Sequence, residues 1–243
     1  MSSNFIPQRA MFIYAHPDDI EFGVAGTAAK WIQGGSEIVY VLLTDGNVGS
    51  HEAGMLPEEL ARIRREEQTA AAEVVGASCI FLGYDDGLLQ PTLEIRKELV
   101  RLIRSFRPIA VVCGDPTLYF PSDNYINHPD HRAAAQLALD AVFPASEMAM
   151  LYPDLANEGL SGHKVNFVYV NRGQENNTYI DISETIDLKI EALRQHKSQL
   201  GDWDPEERIK EWSSEIGNKV GFDYAEAFRR ITLKPLDDEE NEE

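Results

Sequence analysis

Two short runs hold the residues best suited to chemistry in this 243-residue chain: Ala15-His16-Pro17-Asp18-Asp19-Ile20-Glu21 and Asn127-His128-Pro129-Asp130-His131-Arg132. Each packs imidazole and carboxylate groups into a few positions directly after an apolar stretch. Together they supply enough neutral nitrogen and anionic oxygen to hold a divalent metal, with an acid and a base to spare. That is the equipment of metal-assisted hydrolysis. Adjacent side chains such as Asp18 and Asp19 point in different directions, so one can bind metal while the other stays free as a base. His128 and His131 flank the start of a helix three residues apart, so both can face one pocket. If three protein groups hold the ion, one histidine is left over and a coordination position stays open for water. Histidine and carboxylate donors suit Zn²⁺, with Fe²⁺ or Mn²⁺ as alternatives.

These runs need elements to bring them together. Continuously apolar segments at 11–15, 37–43, 78–82 and 109–113 read as buried strands. Segments 26–33, 57–75, 92–106 and 129–142 read as helices between and after them. The second is marked by Pro57 at its start and Gly76 beyond its end. Four strand–helix alternations with fully apolar strands predict an α/β fold: a mostly parallel sheet with helices on both faces. Ligands of such a sheet bind beyond the carboxyl ends of its strands. His16–Asp19, Thr44-Asp45-Gly46-Asn47, Tyr84-Asp85-Asp86-Gly87 and the stretch 114–131 all fall there. After Pro144 the pattern changes to a C-terminal elaboration. It contains strands at 165–170 and 179–182, helices at 183–200 (Ser183 as N-cap) and 206–216, and a segment of mixed character at 224–233. No linker or repeat interrupts the chain. One domain over 1–236, followed by a disordered acidic tail at 237–243, is the simplest organisation.

Composition narrows the partners. A formal charge of −19 argues against a nucleic-acid backbone. No apolar run approaches the length of a membrane span, and residues 1–10 lack the pattern of a secretory signal. Cys79 and Cys113, the only cysteines, lie in apolar runs and read as reduced core thiols. A cytoplasmic location is the expectation. Association into a homo-oligomer is compatible with the sequence but not specified by it.

The paired motifs resemble those of the LmbE/PIG-L deacetylase family, which includes the sugar deacetylases of mycothiol, bacillithiol and glycolipid-anchor synthesis. Weaker matches extend the resemblance over most of the chain: Arg64-x-x-Glu67, Gly83-Tyr84-Asp85-Asp86-Gly87, and Ala192-Leu193 with His196-Lys197-Ser198-Gln199. The resemblance implies a Rossmann-like fold, bound Zn²⁺, and removal of an acetyl or similar acyl group from the nitrogen of an amino sugar. By position it makes His16, Asp19 and His131 the metal ligands and Asp18 the general base. His128 would polarise the substrate carbonyl or, protonated, steady the oxyanion, with Asp130 orienting it. Acetate and a free amine would leave. Some relatives place an oxyanion-assisting tyrosine two residues before the first histidine of the second motif. Here that position is Ile126, with Tyr125 and Tyr119 as candidate substitutes.

The remaining polar residues have two readings each. Arg64 either binds substrate hydroxyls or a phosphate, or pairs with Glu67 or Asp86 to hold its helix against the loop after the third strand; Asp86 is treated alike. Tyr119, Phe120, Pro121 and Tyr125 read as a substrate wall, because aromatic faces suit sugar rings. Arg64, Asp86 and Tyr125 are thus the expected substrate contacts. Glu21 caps a turn or braces a ligand, and His196 either approaches the site from the C-terminal helix or, the preferred reading, packs that helix. His51 and His163 are expected to be exposed and unpartnered. Two other functions stay open beside an N-acetyl amino-sugar deacetylase. One is an amidase acting on a thiol conjugate or other non-sugar amide. The other is a catalytically silent metal- or sugar-binding module, against which an intact Asp18 argues.

Overall fold

The computed structural model describes residues 5–236 apart from 51, 172 and 174. The six expected strands and a seventh over the segment of mixed character assemble as one seven-stranded sheet. β1 (Arg9–Tyr14), β2 (Glu37–Thr44), β3 (Ser78–Tyr84), β4 (Ala110–Cys113) and β5 (Phe167–Asn171) run parallel in the order β3-β2-β1-β4-β5. Beyond β5, β7 (Ala225–Thr232) pairs antiparallel with it, and β6 (Thr178–Asp181) closes the edge against β7. The period-two alternation of a strand feeds two cores. Phe12 and Tyr14 of β1 pack with Tyr40, Trp31, Tyr169 and Phe228 on one face, whereas Met11 and Ile13 pack with Val41, Leu99, Val111 and Leu137 on the other. Burial on both faces explains why these strands are apolar throughout.

Helices cover both faces: α1 (Asp19–Gly23), α2 (Ala25–Gln33), α3 (Pro57–Val75), α4 (Leu93–Phe106) and α5 (Pro129–Asp140), then α6 (Pro153–Asn157), α7 (Ile186–Leu193), α8 (Lys197–Leu200) and α9 (Glu206–Gly217). Their ends obey local rules. α3 starts with Pro57 and ends on Gly76 at φ 92°, α4 is capped by the Thr92 side chain, and α5 by the His128 imidazole ahead of Pro129. The chain leaves β1 for β2 on one side and reaches β4 on the other, so β1 and β4 flank the point where strand order reverses. That is the crevice where open α/β sheets bind ligands. The two histidine motifs follow these two strands.

Three expectations about the elements, and one about His163, needed revision. The helix read over 183–200 is two helices, α7 and α8, broken at residues 194–196; Ser183 donates its hydroxyl to Asp181 Oδ1 (2.6 Å) and caps nothing. The break accompanies the burial of His196, whose ψ of 57° takes it out of the helix. The helix read to 142 ends at Asp140 and passes into a wider turn, because Phe143 is extended (φ −134°, ψ 130°) ahead of Pro144. The mixed segment 224–233 is β7, lying between β5 and β6. The acidic tail 237–243 and His51 lie outside the described residues. His163 is partnered: its Nε2 lies 2.8 Å from the Pro108 carbonyl. Cys79 and Cys113 are free thiols. Among the described residues, no helix is long and apolar enough to cross a membrane.

A buried ion cluster locks the C-terminal elaboration to the N-terminal half. Glu226 of β7 accepts the N–H groups of Gly26 (3.1 Å) and Thr27 (2.8 Å) at the start of α2, and Lys189 Nζ (2.6 Å), which also reaches the Gly23 carbonyl (3.1 Å). Gly26 is required by this contact: a Cβ there would stand 2.8 Å from Ile182 and 3.0 Å from Glu226. Removing one partner of such a pair strands the other charge. Lys189→Met is therefore expected to lower unfolding free energy by about 3–5 kcal/mol. Pairing it with Glu226→Gln should restore part of that loss in denaturant titrations.

Candidate active site

The turn after β1 is unusual. Asp18 sits at φ 95°, ψ −26°, a region L-residues with a Cβ rarely adopt, which costs about 1–3 kcal/mol. The surroundings hold it there. The Asp18 N–H donates to Gln68 Oε1 (3.1 Å), its carbonyl accepts from Phe22 (2.9 Å), and its carboxylate accepts from Gln199 Nε2 (2.5 Å). Gln199 also donates to the Pro17 carbonyl (2.9 Å). Behind them, Gln68 Nε2 donates to Glu21 (2.9 Å), and Glu21 lies 3.2 Å from His196 Nε2, both groups fully buried. Glu21 is thus a buried brace, and the break before α8 lets His196 and Gln199 reach the turn. The strained conformation sends the Asp18 and Asp19 carboxylates to separate partners. Burial, then the neighbouring Asp19, pushes the Asp18 carboxyl up to about 7. Burial also opposes charge on Asp19, but His131 and His16 outweigh it and hold that carboxyl well below the usual range.

His16, Asp19 and His131 converge. His131 Nε2 is 3.0 Å from Asp19 Oδ1 and 3.2 Å from His16 Nδ1, and His16 Nδ1 is 3.5 Å from Asp19 Oδ2. Nitrogen and oxygen ligands bonded to a tetrahedral zinc stand about 3.3 Å from one another. The three groups approach one another at about that spacing, with His131 against Oδ1 of Asp19 and His16 against Oδ2. Each imidazole is also oriented from behind, as metal-binding histidines are. His131 Nδ1 faces Asn127 Oδ1 (3.0 Å), leaving Nε2 for the cation. His16 Nε2 lies 3.0 Å from Asp86 Oδ1 and 3.4 Å from Asp130 Oδ2, leaving Nδ1. Neither of these two approaches is aligned as a hydrogen bond, so they act as charge contacts. Burial opposes charge on His16, yet Asp130, Asp19 and Asp86 more than offset it and raise the imidazole to about 12. A pocket that holds a proton so firmly favours positive charge, and a divalent cation satisfies the same carboxylates.

The other expected residues divide. The His128 ring centroid lies 4.8 Å from that of His16, and its nitrogen joins those of His16 and His131 in a cluster spanning under 4.8 Å. Its Nδ1 accepts the Asp130 N–H (3.2 Å), which leaves Nε2 to carry the ring proton. Burial and then His16 lower its pKa. The Asp130 carboxylate accepts from the Gly87 (2.7 Å) and Leu89 (3.3 Å) N–H groups, pinning the loop after β3. It steadies His128 through its backbone and not through its carboxylate. The Asp86 carboxylate faces His16. Arg64 donates to the carbonyls of Gly46 (2.6 Å) and Gly49 (2.9 Å), holding the loop after β2; its partners are neither Glu67 nor Asp86, though its side chain lines the cleft. Tyr125 is exposed on the cleft wall with Phe120, while Tyr119 carries the Arg132 guanidinium 4.2 Å from its ring centroid.

Sequence reasoning missed Gln68, Asn127 and the role of Gln199. A signal for the first was present. The inward stripe of α3 runs Leu60, Arg64, Gln68, Ala71, Ala72 and Val75, so two polar groups interrupt an apolar face at i, i+4 spacing.

Fold and site define a class: an α/β protein with a histidine–carboxylate pocket that could hold a metal, at the strand-order reversal of its sheet. The family model described as GlcNAc-PI de-N-acetylase (PIG-L) matches residues 11–142, and the chain belongs to that family. It is 35% identical to the diacetylchitobiose deacetylase of Thermococcus kodakarensis, over 92% of this chain and 83% of that one. It is 26% identical to the mycothiol S-conjugate amidase of Streptomyces coelicolor, over 82% and 83%. The structure of N,N′-diacetylchitobiose deacetylase from Pyrococcus horikoshii superposes with a TM-score of 0.86 at 30% identity, covering 96% of this chain and 88% of that one.

Proposed function

We propose that the chain is a metal-dependent N-deacetylase that hydrolyses the acetamide of an N-acetylated amino-sugar conjugate, releasing acetate and a free amine. One observation carries this reading: three groups near ligand spacing, His16, Asp19 and His131, share a cleft with the Asp18 carboxylate and with the His128 imidazole, whose Nδ1 caps α5 and whose Nε2 is left for chemistry. His16, Asp19 and His131 would hold the ion, which we take to be Zn²⁺, with Fe²⁺ or Mn²⁺ as alternatives. When bound, such an ion supplies Lewis acidity to the amide carbonyl and acidifies water near neutral pH. Asp18 takes the proton from water as it attacks the carbonyl carbon, and returns it to the departing amine nitrogen. His128 donates from Nε2 to the carbonyl oxygen as negative charge gathers there. Gln199 and Gln68 keep Asp18 aimed, and Asp130 and Asp86 keep His128 and His16 aimed. Arg64 shapes the wall beside them, and Tyr125 adds an aromatic surface for the sugar. A cytoplasmic location keeps both thiols reduced.

The test is acetate release from N-acetylglucosamine and N,N′-diacetylchitobiose before and after chelation. Release that stops on metal removal and returns with Zn²⁺ is expected. Turnover that persists after the metal is fully stripped would end the proposal.

A further inference from the structure

His16 presents its two ring nitrogens to two different sets of groups. Nδ1 faces Asp19 and His131. From the other side of the ring, Nε2 lies 3.0 Å from Asp86 Oδ1 and 3.4 Å from Asp130 Oδ2. One nitrogen and two carboxylate oxygens of these three residues stand within 4.8 Å of one another. All three are buried: His16 and Asp86 are each 8% exposed and Asp130 is 0% exposed. Among the described residues, Nε2 has no hydrogen-bond partner. A buried polar atom is thus aimed into a pair of carboxylates without an aligned bond to either.

Among the described residues, neither Asp86 nor Asp130 forms an ion pair with a lysine or an arginine. Arg64, on the same wall, gives its terminal donors to the carbonyls of Gly46 (2.6 Å) and Gly49 (2.9 Å). Backbone donors meet only part of the carboxylates' capacity. Asp130 Oδ2 accepts from Gly87 N–H (2.7 Å), Asp130 Oδ1 from Leu89 N–H (3.3 Å), and Asp86 from Val48. A carboxylate offers about four lone pairs, so each keeps room for a cation. Buried charges are paired or coordinate metals. One imidazole and two carboxylates suit Zn²⁺ or Mn²⁺. Asp86 lines the cleft, through which an ion can enter and water can complete its shell.

We propose that His16 Nε2, Asp86 and Asp130 form a second, weaker site for a divalent cation, so that one imidazole can bridge two ions. When both sites fill, the remaining N–H bond of the ring breaks, its proton leaves to solvent, and the nitrogen bonds the second ion. Loss of that proton makes this the weaker site, emptied by dialysis against metal-free buffer. The inference rests on the first site as assigned above, with Nδ1 given to it. Zn²⁺ alone is the probe, in equilibrium dialysis of the unaltered chain, Asp86→Asn and Asp19→Ala, and in crystals of the unaltered chain grown at saturating Zn²⁺. Two binding steps are expected in the unaltered chain. Asp86 is an outer partner of the first ion and a direct ligand of the second. Asp86→Asn should therefore weaken the first step by no more than about 100-fold and the second by more than that. Asp19→Ala should remove the first step and keep one ion at the free Zn²⁺ concentration of the second. The crystals should show two anomalous peaks, one of them between Nε2, Asp86 and Asp130, a readout that depends on no variant. A single step, equal weakening of both steps by Asp86→Asn, or a second peak on surface carboxylates instead overturns the proposal. A lone peak between Asp86 and Asp130 would keep this site and remove the first, and with it the metal assignment of the deacetylase reading.

Discussion

Asp18→Asn is expected to lower kcat by about 10²–10⁴-fold, the usual contribution of a positioned base, while metal content stays at the level of the unaltered chain. The substitution isolates chemistry from architecture. Asn is isosteric and tolerates the left-handed backbone that Asp18 occupies. The N–H to Gln68 is untouched, and an amide oxygen can still accept from Gln199. The turn that presents Asp19 therefore survives, and only the proton acceptor is lost. Because burial and Asp19 raise the Asp18 carboxyl to about 7, its conjugate base is well matched to a proton transfer near neutrality. A cation bound beside it draws that value down, so the acid limb of the kcat/KM profile should fall below 7. Rate is lost as pH drops through it, and the Asn variant should lack that limb. Metal content that falls together with kcat would make Asp18 a ligand and end its assignment as base.

The first half of the chain was readable because its signals are local. A strand buried on both faces is apolar at every position, and Pro57, Gly76 and Thr92 mark helix ends by their own backbone needs. β7 gave no such signal. Ala225–Thr232 carries Glu226, Arg229 and Arg230 and yet lies between two strands. Its Glu226 is tolerated only because Lys189 and the start of α2, 37 and about 200 residues away in sequence, neutralise it. Nothing within a short window predicts such a partner. The break at residues 194–196 was hidden for the same reason, since it accompanies a contact with Glu21, 175 residues away.

The site divides along the same line. His16, Asp19, His128 and His131 are visible because imidazoles and carboxylates so closely spaced are chemically rare. Their supports are amides, and an amide on a helix looks like a solvated surface residue until its burial is known. Gln68 proved fully buried, and Asn127 nearly so. That the two aspartates divide was legible from their adjacency, but which takes which role was implied by resemblance alone. Its physical origin is the positive φ at Asp18, which gives Asp18 to Gln199 and Asp19 to the histidines.

Asp19→Ala should have the opposite signature to Asp18→Asn: the metal is lost and activity goes with it. Asp19 does three things at once. One carboxylate oxygen lies 3.0 Å from His131 Nε2, the other accepts the His16 backbone N–H at 2.9 Å, and the charge helps hold His16 in place. Removing even an outer partner of a metal ligand costs about 10–100-fold in affinity, so loss of a direct ligand should exceed that. Dialysed Asp19→Ala is expected to hold no metal by elemental analysis, and activity should return, if at all, only at metal concentrations more than about 100-fold higher. Affinity in the unaltered chain should also rise with pH, because the cation must displace the proton that His16 binds so firmly. Circular dichroism separates this outcome from unfolding. Should the variant keep metal at full stoichiometry, the ion would have to sit with His128 or between Asp86 and Asp130, the other two donors in ligand range of His16. His128 could not then serve as the free donor to the carbonyl, or Asp86 as the outer partner of His16.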